Sequence, residues 1–437
     1  MGFTLKPVRV GICGFGTVGG GTFNVLQRNS DEITRRTGRA IVVEHIAQRR
    51  PNVDCDTGDT AITDDIFAVA NNPNVDVLVE LIGGHEPAKE LVLTAIRNGK
   101  HVVTANKALI AVHGNEIFAA AREHNVVVAY EAAIAGGIPI VKAIREGLSA
   151  NSINWLAGII NGTGNFILTE MRDKGRAFDD VLKEAQELGY AEADPTFDVE
   201  GIDAAHKLTI LSSVAFGIPL QFDQCYTEGI SKVSAEDVAN AESLGYRIKH
   251  LGVTRRTEAG VELRVHPTMI PEKRLIANVH GVMNAVLVEG DAVGPTMYYG
   301  AGAGAEPTAS SVVADLVDVV RDMAVDQNVR MPSLAFQQDA MSDSPVLSME
   351  QVVTAFYLRM SVSEKPGVLA QITHILGEAG ISIEAIRQQT HESSQVPVII
   401  LTRPVLEGKM NAAITAIEAL ADVNGEVTRI RVENLDG

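Results

Sequence analysis

The sequence predicts an α/β protein of several domains: a doubly wound parallel sheet first, an α+β domain next, and a ferredoxin-like module at the C-terminus. Three observations carry this. The loop Gly14-Phe15-Gly16-Thr17-Val18-Gly19 directly follows an apolar strand and opens a helical pattern. Near-continuous apolar strands then alternate with helical stretches, as in a sheet buried on both faces. The last quarter reads strand, helix, strand, strand, helix, strand. At 437 residues the chain exceeds what one core holds.

The first strand runs from Val8 to Cys13, and the helix after Gly19 follows it. Glycines there permit the tight turn and close backbone approach, while the helix N-terminus offers amides to a phosphate. A Rossmann dinucleotide site is expected; a glycine turn without a ligand is the alternative. Further strands are read in "AIVVEHIA", "VDVLVELIGG", "KHVVTANKALI" and "NVVVAYEAAIAGG". Ligands of such sheets collect at the carboxyl ends of strands, where Gly83, Gly84, Lys107 and Glu131 stand. The second strand ends in "HIAQRRP", with no acid to bind a ribose hydroxyl before Asp54. Arginine matches phosphate as a bidentate fork, so Arg49, with Arg50 beside it, points to NADP over NAD.

In the middle of the chain, "INWLAGII" reads as a strand and "NGTGNFILTEM" as a turn entering a helix. "RIKHLGVTRRTEAGVELRVHPTMI" alternates like paired strands about a Glu-Ala-Gly turn. Between them, "GYAEADPTFDVEGIDAAHK" gathers five carboxylates ahead of one terminal lysine. On a helix starting near Gly201, Asp203 and Lys207 share a face. His206 lies one residue off that face and reads as packing.

Composition excludes several classes. A formal charge of −18 argues against binding a nucleic-acid backbone. No apolar run reaches membrane-spanning length, no secretory signal is visible, and Cys13, Cys55 and Cys225 have neither CxxC nor metal-ligand spacing. A cytoplasmic protein is expected.

Taken together, "GFGTVG", "ELIGG", "TANKALIA", "EAAIAGGIPI", "NGTGNFIL", "GYAEADPTFDVEGIDAAHK" and "GAGAGAEPTASSVVADLV" resemble homoserine dehydrogenase over about the first three quarters of the chain. The resemblance implies interconversion of aspartate 4-semialdehyde and homoserine with NAD(P)H, in the route to threonine, methionine and isoleucine. It implies Lys207 as proton donor and Lys107 as a second lysine near cofactor and substrate. Glu192 and Asp203 would bind the substrate ammonium, with Asp198 in support and Gly189 and Tyr190 lining the approach. Gly304 in the "GAGAG" segment would touch the cofactor. A sodium ion is implied near Glu131 and the main-chain oxygens of Ile134, Gly136 and Ile138.

The C-terminal quarter resembles an ACT domain, a module that binds amino-acid effectors. "EKPGVL" and "GISIE" occupy its ligand-loop positions, Gly367, Val368, Leu369 and Ile381 among them. Threonine is the expected effector, although Glu364 and Ser382 depart from the commoner Asp and Asn. The expected domains are residues 1–137, completed by a helix over 308–330; residues 138–307 for substrate and dimerisation; a linker over 335–353; and residues 354–437 for regulation. A homodimer or homotetramer is expected. Two rivals remain: a semialdehyde dehydrogenase making an acyl phosphate, which needs a nucleophilic cysteine, and a catalytically silent sensor of nucleotide and amino acid.

Overall fold

The computed structural model describes residues 6–388 and 395–436. The chain forms two compact units, one from residues 1–162, 203–223 and 282–344, the other from residues 163–202, 224–281 and 345–437. Among the described residues, no helix is long and apolar enough to cross a membrane.

The first unit holds β1 (Val8–Cys13), α1 (Thr17–Arg28), α2 (Ser30–Thr37), β2 (Ile41–Ala47), β3 (Ala61–Thr63), α3 (Ile66–Ala70), β4 (Val77–Glu80), α4 (Ala88–Arg97), β5 (His101–Thr104), α5 (Lys107–Glu123) and β6 (Val128–Ala129). The strands pair in parallel in the order β3-β2-β1-β4-β5-β6. The order reverses between β1 and β4, and that switch opens the crevice in which such sheets bind ligands. The strands are apolar because helices cover both faces; Val10, Ile12, Val77, Val79 and Val103 join Phe23 of α1 in one core. Helix Ala305–Asp322 adds Ala309, Val312, Leu316 and Val319 to that core, although it lies far away in sequence. It ends at Asp322, short of the expected residue 330, and Gln327–Val329 forms a separate turn.

The "NVVVAYEAAIAGG" stretch is strand only over Val128–Ala129. A short 3-10 turn, Glu131–Ala133, follows, and then Ala135 and Gly136 adopt φ of 50° and 39°. Two consecutive left-handed residues cannot continue a strand. The unit also contains the antiparallel strands Ile153–Ile159, Met283–Gly290 and Gly294–Ala301.

The second unit is built on a hairpin, Tyr246–Thr257 with Gly260–Pro271, paired from Gly260↔Thr257 to Pro271↔Tyr246. Its C-terminal module runs Val353–Ser363, Val368–Glu378, Ile383–Gln388, Gln395–Thr402, Glu407–Glu418 and Val423–Val432, which is βαββαβ. The last strand pairs in parallel with the hairpin at Thr268↔Arg431 and Met269↔Val432. The module's edge is thereby covered, which removes a row of unpaired backbone groups. Pro366 sits outside the first turn it was expected to occupy. Gly367 caps that helix with φ of 94°, a left-handed kink that ends the continuity. The polar connection before the module is fastened by backbone hydrogen bonds, Ser342 N to Gly217 O at 2.7 Å and Leu347 N to Val261 O at 2.9 Å.

Candidate active site

At the switch point the three glycines serve two purposes. A Cβ on Gly14 would stand 2.5 Å from Leu81 O, and one on Gly19 would stand 2.2 Å from Gly14 O. Both positions need glycine for backbone packing. A Cβ on Gly16 would meet nothing within 4 Å, so its face is open to a ligand. Phe15, Thr17 and Val18 complete the turn into α1. Asn52 Nδ2 donates to Phe15 O and Gly16 O, both at 3.3 Å, and holds the loop's carbonyls. Arg49 and Arg50 are exposed just beyond β2.

On the other side of the crevice, Gly83 and Gly84 take φ of 75° and 73°. Glu80, fully buried at the end of β4, shapes that turn by accepting from Ile82 N at 2.9 Å, Gly83 N at 3.1 Å and Thr104 Oγ1 at 2.6 Å. Burial pushes its carboxyl up against the pull of those bonds. Asn106 Nδ2 donates to Gly84 O at 2.7 Å, and Asn106 Oδ1 caps α5 by accepting from Leu109 N at 3.1 Å. This cap fixes the start of α5, and Lys107 is the helix's first residue.

Helix Ile202–Phe216 forms where the shared face of Asp203 and Lys207 requires it. Lys207 Nζ donates to Asp203 Oδ2 and to Ile160 O, each at 2.7 Å. Lys107 Nζ reaches Asp203 Oδ1 at 3.0 Å, and Asn161 Nδ2 donates to Asp203 Oδ2 at 2.8 Å. Asp203 is 3% exposed and Lys207 8%, whereas the Lys107 side chain is 35% exposed. Burial alone would raise the Asp203 carboxyl. The charges of Lys207 and Lys107, with the hydrogen bonds from Lys207 and Asn161, outweigh it and hold the group well below the usual carboxylate range. One buried anion thus grips two ammonium groups, one enclosed and one partly exposed. His206 stacks on Phe222 with centroids 4.2 Å apart, and burial pushes its imidazole down to about 4. At neutral pH it packs as an uncharged ring.

The remaining expected substrate residues belong to the second unit. Tyr190 packs its ring edge-on against Phe166, centroids 5.1 Å apart, and its carbonyl accepts from Thr163 Oγ1 at 2.6 Å. Gly189 turns with φ of 75°, Glu192 is exposed, and Asp198 is half-buried, its carbonyl accepting from Gly201 N at 3.2 Å. Gly304, with φ of 122°, is the N-cap of helix Ala305–Asp322 in the first unit.

Glu131 is buried, and its carboxylate accepts from Val141 N and Lys142 N, both at 2.8 Å. Each carboxylate oxygen spends one lone pair on those amides and keeps another. The nearby peptide oxygens are in the same position: Gly136 O accepts from Ser311 Oγ at 2.6 Å and Ile138 O from Ile140 N at 2.8 Å, leaving each a second lone pair. Among the described residues, no group of three or more His, Cys, Asp or Glu could hold a metal ion. In the C-terminal module, Val368 and Ile381 are core residues. Val368 and Leu369 also line a cavity of about 270 Å³ with Glu364, Lys365 and Gln388. Burial pushes the Cys13 thiol far up and raises Cys55 as well, away from the thiolate form that an acyl-phosphate dehydrogenase uses.

A doubly wound dinucleotide fold and a buried lysine–carboxylate site, with a βαββαβ module appended, mark the class of nicotinamide-dependent oxidoreductases. Family models agree in each part: "Homoserine dehydrogenase, NAD binding domain" over residues 14–131, "Homoserine dehydrogenase" over 139–317 and "ACT domain" over 356–422. The chain is 70% identical to homoserine dehydrogenase of Pseudomonas aeruginosa, over 99% of this chain and 100% of that one. It is 54% identical to that of Neisseria gonorrhoeae over 99% and 100%. A crystal structure of a homoserine dehydrogenase from Thiobacillus denitrificans superposes with a TM-score of 0.95 at 64% identity, over 99% of this chain and 100% of that one. A hyperthermophilic archaeal homoserine dehydrogenase in complex with NADPH matches at 0.61 and 26% identity, over 72% and 98%. The chain belongs to the homoserine dehydrogenase family.

Sequence reasoning did not single out Glu80, Asn106, Asn161 or Asn52. Glu80 carries a signal: an acid closing an apolar strand just before two glycines. The asparagines lie within or beside the motifs, and only their long-range partners reveal their roles.

Proposed function

We propose that Lys207 is the proton donor when aspartate 4-semialdehyde is reduced to homoserine, and the proton acceptor in reverse. The observation that carries this is the Asp203 carboxylate, buried and bonded to Lys207 Nζ at 2.7 Å. The nicotinamide supplies the hydride when bound. Lys207 Nζ gives its proton to the carbonyl oxygen as negative charge builds there. Asp203 keeps Lys207 oriented in both protonation states, and Ile160 O fixes the direction of the ammonium. Lys107, more exposed, steadies the same oxygen and the coenzyme side of the site. Within the second unit Glu192, supported by Asp198, receives the substrate ammonium, with Gly189 and Tyr190 along the approach. Lys207→Ala is expected to lower turnover by orders of magnitude with NADPH binding near wild type; undiminished turnover removes Lys207 from the mechanism.

NADPH is the preferred coenzyme in this reading, its 2′-phosphate held by Arg49 and Arg50. Gly14, Gly16, Gly19, Gly83 and Gly304 supply backbone approach. The open face of Gly16 and the NADPH-bound archaeal relative support this. A sodium ion would be held by the Glu131 carboxylate with the peptide oxygens of Ile134, Gly136 and Ile138. A thermal midpoint responding alike to sodium and choline chloride would remove it. Threonine acts through the cavity lined by Val368 and Leu369. Titration calorimetry showing no threonine binding would withdraw that. The enzyme works in the cytoplasm as a homodimer or homotetramer; a monomer in sedimentation velocity contradicts the assembly.

A further inference from the structure

Within the second unit, Arg431 of the last strand is fully buried. Its Nε donates to Glu407 Oε2 at 2.8 Å, Nη1 to Glu228 Oε2 at 2.7 Å and Nη2 to the Tyr226 hydroxyl at 3.1 Å. The Tyr226 hydroxyl in turn donates to Glu228 Oε2 at 2.7 Å. Arg431 and Glu407 belong to the C-terminal module, whereas Tyr226 and Glu228 precede the hairpin. A guanidinium at that depth is tolerated only when paired this fully, and removing one partner leaves a buried charge exposed to no solvent.

Glu228 also anchors its own backbone. Its N–H donates to Val265 O at 2.8 Å, and its carbonyl accepts from His250 Nε2 at 2.9 Å. Two residues on, Ile230 N donates to Val199 O at 2.8 Å. The segments 228–230 and 199–201 lie so close that a Cβ on Gly229 would stand 2.7 Å from Glu200 Cα. One on Gly201 would stand 3.0 Å from the His250 ring. Residue 202 begins the helix that carries Asp203 and Lys207.

We propose that Glu228 is a positioning residue: through Arg431 it fastens the C-terminal module to the backbone from which the Asp203–Lys207 helix springs. The proposal rests on the catalytic reading of Lys207 and extends it. A change in the module then reaches residue 202, where that helix begins, through a short run of hydrogen bonds and close-packed backbone.

The test uses the full-length chain with Glu228→Gln, and Tyr226→Phe as the milder variant should the first fail to fold. Hydrogen–deuterium exchange is followed over residues 196–210, 407–432, 8–13 and 101–104. Exchange over 196–210 should accelerate about tenfold in Glu228→Gln and about threefold in Tyr226→Phe, with β1 and β5 at the wild-type rate. Turnover should fall by about tenfold while the coenzyme KM stays within about twofold. Glu262→Gln is the control, because Glu262 pairs at 2.8 Å with buried Arg264, two residues along the same strand, Gly260–Pro271. Wild-type exchange over 196–210 in Glu228→Gln, or equal acceleration in Glu262→Gln, overturns the proposal. If Lys207→Ala keeps full turnover, the catalytic reading falls, while the exchange data still decide the linkage.

Discussion

Asp203→Asn removes one charge from the centre of the site and little else, because asparagine has nearly the same shape. The carboxylate lies 2.7 Å from Lys207 Nζ and 3.0 Å from Lys107 Nζ. At an effective dielectric near 20, each contact amounts to about 6 kcal/mol of gross attraction, most of it offset by desolvation of a 3%-exposed anion. Breaking a buried pair by removing one partner's charge leaves a net loss of roughly 3–5 kcal/mol, because the Lys207 ammonium stays buried without its counter-charge. Turnover should fall roughly a hundredfold, as when a single positioned charge contact is lost from an active site. The pH dependence sharpens the test. The folded-state value of Asp203 lies below its ordinary 3.8, so its contribution is complete above pH 3.8 and is lost only as pH falls through the lower, folded value. Urea unfolding should therefore show the same gap between wild type and variant at pH 7 and pH 5. A variant within about 1 kcal/mol of wild type, or a gap that closes between those pH values, refutes the reasoning.

Three further outcomes are expected. Gly16→Ala should fold normally and weaken NADPH binding, because its Cβ enters the open cradle, whereas Gly19→Ala, 2.2 Å from Gly14 O, should lower the melting temperature first; binding isotherms and melting curves separate the two, and the opposite order contradicts the assignment. Arg49→Ala should weaken NADPH more than NADH, and equal losses in KM speak against the phosphate contact. In sodium-free buffer, burial raises the Glu131 carboxyl from 4.5 to about 7, so the native state keeps a proton that the unfolded chain releases, and stability falls by about 3 kcal/mol as pH rises across that window. Glu131→Gln should flatten that decline, with Asp315, also raised by burial, leaving a residual slope of the same sign; an unchanged pH series of unfolding midpoints counts against it.

The sequence by itself determined whatever repeats locally. Apolar runs placed β1, β2, β4 and β5. The strand–glycine–helix order placed the dinucleotide cradle, and a four-residue spacing put Asp203 and Lys207 on one face. Tertiary structure decided the rest. It brought Lys107 and Asn161 to the same carboxylate, set Glu80 under the Gly83–Gly84 turn, and turned Glu131 toward two amides. It also laid the last strand against Gly260–Pro271, so that Arg431 meets Glu228. The reason is physical. Periodicity records only which face of an element is buried, whereas a buried charge takes its partner from whichever distant segment the packing brings within hydrogen-bond reach.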